Sequence, residues 1–241
     1  KGMKGKTITE IGELYKAGAV ALSDDGRPVE DSNVLKLAIQ YSKMFNMPII
    51  NHCEDLNLVN DGVMNEGYMS TILGLKGINR AAEEIGIARD IIMAKHYGAS
   101  IHIAHVSTMG GVELIRQAKR EGIPITCETA PHYFSATDEW VDGYDANTKV
   151  NPPLRTADDV EAIKEGLRDG TIDAIATDHA PHHRDEKNIE YNIAAFGISG
   201  LETAFSLGYT NLVEKGILSL SGLVQKMSST PANILGIEGG K

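Results

Sequence analysis

Apolar residues along this chain follow two rhythms that alternate. Short, mainly apolar runs at 19–22, 47–50, 100–104, 123–126 and 172–176, the last with Asp173 inside it, each end abruptly in polar and ionisable residues. Runs of that length, bounded by polar loops, read as buried parallel strands. Between them the apolar positions keep a helical period. The first helix covers 8–17 and stops at Gly18; the second places Val34, Leu35, Leu37, Ala38 and Tyr41 behind a cap at Asp31 or Ser32. A third runs over 80–97 and is closed by Gly98, and a fourth is opened by Gly110 and Gly111 and closed by Gly122. Thr156 caps the next, which carries Asp158, Asp159 and Glu161 in its first turn and ends at Gly170. Two more helices follow Leu201, and two longer connections, 56–77 and 135–149, read as excursions over the mouth formed by the strand ends.

Strand, loop and helix recurring five times call for parallel strands joined by right-handed crossovers. Five strands do not close an eight-stranded barrel. The pattern therefore fits either most of a (β/α)8 TIM-like barrel without its first strands or an open, doubly wound α/β sheet. No GxGxxG follows any strand, which weighs against a nucleotide-binding sheet of the second kind.

In a β/α barrel the chemistry sits at the C-terminal ends of the strands. Here those ends offer Asp24 and Asp25, His52, His105, His132 and Asp178, and Asp178 is followed by His179, His182 and His183. Any one of them alone reads equally well as a polar surface loop, but parallel strands deliver all the tips to one rim. Imidazole and carboxylate suit Zn2+ and similar ions. A carboxylate shared by two such ions can generate hydroxide near neutral pH and polarise a carbonyl. An odd step separates His102 from His105, so an unbroken strand aims them at opposite faces. His105, nearer the strand end, is the ligand candidate and His102 a wall residue. Cys53, beside His52, points away and packs; His96, before the glycine that ends its helix, is structural.

Composition narrows the classes. The 241 residues are 42% hydrophobic and 23% charged, enough for one sizeable core. A net charge of −10 and a pI near 5.3 give nucleic acid no electrostatic footing. Two cysteines, Cys53 and Cys127, without a CxxC, fit a reducing cytosol. No apolar run approaches the roughly 20 residues needed to span a bilayer, and no signal peptide is visible. The expectation is a cytoplasmic protein with neither membrane nor nucleic acid as partner.

SDDG at 23–26, NHCED at 51–55, AHVST at 104–108, ETAPHY at 128–133, NPPLR at 151–155 and TDHAPH at 177–182 resemble, in order and spacing, the dihydroorotase family. The match is to the bacterial and archaeal type I branch of the amidohydrolase superfamily. The resemblance implies a metal-dependent hydrolase barrel of the TIM type, here lacking roughly its first three strands. Residues 1–235 are then a partial barrel catalytic domain, about strands 4 to 8, and 236–241 begin a truncated C-terminal segment. It also implies Zn2+, two ions in an intact site and at most a partial site here.

Position by position, Asp25 resembles the carboxylate that bridges the two ions, where hydantoinases and allantoinases use a carbamylated lysine. His52 and His105 resemble ligands of the second ion. Asp178 resembles a ligand of the first and the general acid/base. Asn151, His182 and the backbone at Phe196 and Gly197 resemble groups that hold substrate, and His132 belongs to a family motif without being a ligand. The implied reaction is the reversible cyclisation of N-carbamoyl-L-aspartate to L-dihydroorotate in de novo pyrimidine biosynthesis, with a metal-bridging hydroxide as nucleophile. The family also admits a homodimer and a complex with aspartate transcarbamoylase. Two other readings compete: an allantoinase or hydantoinase, and a non-catalytic dihydroorotase-like scaffold for the transcarbamoylase. Asp25 in place of lysine weighs against the first, and the retained Asp25, His52, His105 and Asp178 against the second.

The resemblance places a His-x-His pair and an arginine after the first barrel strand, and no such pair precedes Asp25. Asp25 and Asp178 alone would give the first ion two protein ligands. The 241 residues by themselves are therefore expected to be inactive.

Overall fold

A computed structural model describes residues 2–240; Lys1 and Lys241, the outer ends of the two spans expected above, lie outside the described residues. Five parallel strands form the main sheet in the order β1-β2-β5-β6-β7: β1 Leu22–Ser23, β2 Ile49–Asn51, β5 Ile101–Ile103, β6 Ile125–Thr129 and β7 Ala174–Ile175. The register runs Leu22 to Ile49, Ile50 to His102, Ile103 to Cys127 and Glu128 to Ala174. Four of the five strands are shorter than the apolar runs that predict them, while β6 extends past its run to Thr129. The run at 172–176 yields two paired residues, because Asp173 turns its carboxylate to Lys119 at 2.6 Å and to the Cys127 N–H.

Parity along these strands decides between barrel and doubly wound sheet. Ile49, Ile101, Ile103, Ile125, Cys127 and Ile175 all enter one core with helix residues Leu35, Ile39, Ile87, Val112, Ile115, Ile163 and Leu167. The alternate residues Ile50, His102, Thr126 and Glu128 turn to the other, concave face. A doubly wound sheet covers both faces with helices; here the helical layer lies on one, as on the outside of a barrel wall. His102 is part of that concave wall, held by Thr126 at 2.8 Å and Glu128 at 3.1 Å.

The helices begin and end for local reasons. Asp31 accepts from the N–H groups of Asn33 and Val34 ahead of Ser32–Lys43, so Asp31 rather than Ser32 is the cap. Thr108 caps Met109–Arg120, placing Gly110 and Gly111 inside its first turn, and Thr156 with Asp159 forms a capping box before Ala157–Asp169. Ala81–Tyr97 ends on Gly98 in the left-handed conformation. Within that helix Gly86 allows a close approach: a Cβ there would sit 2.8 Å from backbone atoms of Cys53 and Glu54.

The excursions carry structure of their own. The first holds a small parallel pair, β3 Met64–Asn65 and β4 Gly77–Ile78. It packs Val63, Met64 and Leu75 against Val141 and Tyr191 of the later loops. Beyond Leu201 the chain forms Ala204–Gly208, a π-helical turn Tyr209–Val213, Leu220–Met227 and Ser229–Leu235, more pieces than the two helices expected.

Candidate metal centre

Three of the strand tips meet. Asp25 lies in the turn after β1, where its own N–H donates to Ser23 Oγ at 3.1 Å. Its neighbour Asp24 is buried and accepts from the backbone N–H groups of His52 and Val29, both at 2.9 Å, which pins the Asp25 turn to the end of β2. His52 follows β2 and is 1% exposed. His105 follows β5 with φ of 35°, a left-handed conformation uncommon for a residue with a side chain. That turn ends the strand alternation and brings the His105 ring to the concave side, the side His102 also faces. The parity contrast expected between the two histidines therefore fails, although each occupies the place foreseen for it.

His52 Nδ1 lies 2.9 Å from His105 Nε2 and 3.4 Å from Asp25 Oδ1, and His105 Nε2 lies 3.2 Å from the same oxygen. One ligand atom from each residue falls within 4.8 Å of the others. Tautomer selection supports the same use. Glu54 Oε2 sits 3.1 Å from His52 Nε2, so the outer nitrogen holds a proton and Nδ1 is the nitrogen turned toward Asp25 and His105. Hydrogen bonds from His105 and His52 hold the Asp25 carboxyl far below the ordinary carboxylate range. Burial disfavours a charged His52, yet Asp25 and Glu54 outweigh it and push the ring up to about 10. The cluster is thus a pocket of donor atoms sharing a proton at their centre, a donor set that suits a divalent ion of the zinc type.

Asp178 stands apart from this trio. It too has positive φ, 47°, and its Oδ2 lies 3.5 Å from Nε2 of buried His132. Burial works to raise its carboxyl, but His132 and the charge of His105 bring it below the ordinary value. The charges of His105 and Asp25 both bear on it, and it is not one of the three-residue group. Asn151 reaches the cluster from the side: its Nδ2 donates to Glu54 Oε2 at 3.2 Å, while its buried Oδ1 has no partner among the described residues. His182 is away from the trio, paired with Glu186 at 3.2 Å. Its ring lies against Gly197, since a Cβ on that glycine would fall 3.0 Å from His182 Cδ2. Phe196 is partly exposed on the same loop. The residues expected around substrate therefore fall into two groups, Asn151 beside the trio and His182 with Phe196 and Gly197 on a separate loop pairing. Cys53 packs in the core against Asp90, as its position next to His52 suggested.

Sequence reasoning passed over the residues that hold these tips. Glu54 carried a usable signal, because two steps from His52 in extended chain returns to the same face. Glu83 carried none. Buried in the first turn of Ala81–Tyr97, its carboxylate accepts from Ser107 N at 2.9 Å, from Thr108 N and Oγ1 at 3.0 Å, and from Ser107 Oγ. Arg155 adds a bond to Ser107 Oγ at 3.0 Å and reaches Asn65 Oδ1 at 3.1 Å. Together they clamp the turn that follows His105.

Comparison with known proteins fits this geometry. A family model described as dihydro-orotase-like matches residues 2–110. The dihydroorotase of Ruminiclostridium cellulolyticum is 61% identical over 240 residues and that of Acetivibrio thermocellus 60%, each over 100% of this chain and 56% of the relative. The chain thus spans little more than half the length of these curated relatives. Among solved structures, the L-hydantoinase (dihydropyrimidinase) of Arthrobacter aurescens superposes with a TM-score of 0.83 at 30% identity, over 96% of this chain and 55% of that one. A D-hydantoinase from Thermus sp. gives 0.82 at 21% identity, over 98% and 56%, and shares the fold. With its barrel-wall architecture, the family match over residues 2–110 and identities near 60% along its whole length, the chain is similar throughout to the dihydroorotases.

Proposed function

We propose that this chain carries the metal-binding rim of a dihydroorotase, a cyclic amidohydrolase that interconverts L-dihydroorotate and N-carbamoyl-L-aspartate. The observation that carries the reading is the convergence of Asp25 Oδ1, His52 Nδ1 and His105 Nε2 at the strand ends of a chain so similar to dihydroorotases. Asp25, His52 and His105 would hold one Zn2+, and Asp178, across the hollow, would contribute to a second. Bound there, the metal supplies Lewis acidity for the ring carbonyl and lowers the pKa of water.

The chain's own groups supply the rest. In ring opening, water adds to the amide carbonyl, the C–N bond breaks and the nitrogen leaves with a proton. Asp178 would take the proton from water and return it to that nitrogen, a role supported by a carboxyl held below its ordinary value. Asn151, with an unpaired Oδ1 aimed from beside Glu54, offers an acceptor to a substrate N–H. His182 and the Phe196–Gly197 peptide would hold the opposite end. Asp25 in place of a carbamylated lysine favours dihydroorotate over hydantoin or allantoin. Residues 1–235 as the barrel unit, 236–241 as the start of a further segment, a cytoplasmic location, a homodimer and a complex with aspartate transcarbamoylase belong to the same reading.

The test is a substrate panel on the protein extended to the length of its relatives and loaded with zinc. Dihydroorotate is expected to open, with hydantoin and allantoin at least about a hundredfold slower, a discrimination set by transition-state contacts. The isolated 241-residue chain is expected to open none. Preference for hydantoin or allantoin, or no zinc retained after dialysis, would sink the assignment.

A further inference from the structure

Two ammonium groups beside the loop that carries Phe196 and Gly197 face backbone oxygens instead of carboxylates. Lys149 is 2% exposed. Its Nζ donates to Tyr191 O at 2.8 Å and Asn192 O at 3.0 Å, with the Phe196 ring centroid 4.5 Å away and that of Tyr191 5.8 Å. Lys187 Nζ donates to Ala195 O at 2.8 Å, Gly197 O at 2.9 Å and Lys149 O at 3.3 Å. Gly197 N then donates to Lys149 O at 2.9 Å and completes a ring of contacts.

A buried ammonium without a counter-ion is costly. Burial lowers the pKa of both amines, that of Lys149 to about 8, with Lys187 pushing in the same direction. Asp145, the carboxylate whose charge bears on Lys187, opposes the shift there. What the arrangement provides is geometry. Charge-assisted bonds are roughly twice as strong as neutral ones, and here they fix both ends of one short loop. The loop has no slack to take up: Gly197 has φ of 144°, and a Cβ there would lie 2.3 Å from Ala180 O. Ile198 O accepts from Ala180 N at 2.9 Å, which seats the loop against the segment carrying Asp178 and His182.

We propose that Lys149 and Lys187 are positioning residues that hold the 191–197 backbone rigid, so that the Phe196–Gly197 peptide forms a fixed wall for substrate; this rests on the dihydroorotase reading above. Neither amine touches the trio, and their effect falls on substrate affinity, not on the chemical step.

The complete zinc-loaded protein is compared as wild type, Lys187→Met and Lys187→Arg in dihydroorotate ring opening, together with amide hydrogen exchange across 188–198 in the absence of substrate. Lys187→Met is expected to raise KM about tenfold while kcat stays within about threefold, and Lys187→Arg, which keeps the charge and its donors, to fall between. Exchange at Gly197 is expected to quicken in Lys187→Met. An unchanged KM, or a loss confined to kcat, overturns the proposal. If Lys187→Met does not fold, Lys149→Met carries the same test, with the same rise in KM expected and its absence overturning the role. If the wild type opens no ring, the enzymatic reading fails. Exchange then decides the tie alone: faster at Gly197 in Lys187→Met supports it, and equal rates refute it.

Discussion

At His52, Glu54 occupies the Nε2 side of the ring, while Asp25 and His105 share the Nδ1 side. The ring is almost fully buried, so neither nitrogen can trade its partner for bulk water, and the carboxylate keeps a proton on Nε2 whatever Nδ1 carries. Glu54→Gln keeps the shape but offers an amide whose NH2 can turn toward Nε2, which would favour the tautomer that blocks the metal side. Zinc or cobalt affinity at the trio is expected to fall about 10- to 100-fold, the usual cost of losing such an orienting partner. Competition against a chromophoric chelator measures it, and an unchanged affinity would mean that Asp25 alone orients the ring. At the same scale, His105 shows where residue identity stops being informative. Its letter marks a ligand candidate, but the φ of 35° that turns its ring inward depends on Glu83 and Arg155 clamping the following turn.

Among the elements, the helix Ala81–Tyr97 sets how near the outer layer comes to the site. Its first turn presents Glu83 to the His105 turn, its middle presents Gly86 to the backbone of Cys53 and Glu54, and Asp90 accepts from Asn51 and Cys53. Gly86→Ala should gain about 1 kcal/mol in helix propensity. The added Cβ would meet backbone atoms of Cys53 and Glu54 at 2.8 Å, which cannot swing aside, and overpacking of that kind costs about 1–3 kcal/mol. The clash is expected to win, with a net loss of up to about 2 kcal/mol in urea melts and weaker metal binding through the displaced Glu54. A neutral or stabilising outcome would show that the helix can shift without consequence. The existence and order of these elements were legible from the apolar runs and the glycine stops. Their true lengths were not, since strands of two to five residues are set by pairing with neighbours that local pattern does not reveal.

For the molecule as a whole, the sheet has two ends, β1 pairing only with β2 and β7 only with β6 among the described residues. Open edges and a concave face carrying Ile50, His102, Thr126 and Glu128 are surfaces that a closed barrel would cover. The isolated chain is therefore expected to self-associate at micromolar concentration in sedimentation, and the protein extended to the length of its relatives to show less of it; a stable isolated monomer would count against the open-wall description. What the sequence by itself determined is the α/β class, the strand order and the identity of the strand-end tips, because hydrophobic period and loop chemistry are local and repeat with each unit. Which tips actually touch, which nitrogen of His52 faces inward, and how Glu83, Arg155, Lys149 and Lys187 hold the loops were decided by the tertiary structure. Most of those contacts join residues dozens of positions apart, and their strength comes from burial, which exists only once the chain has folded.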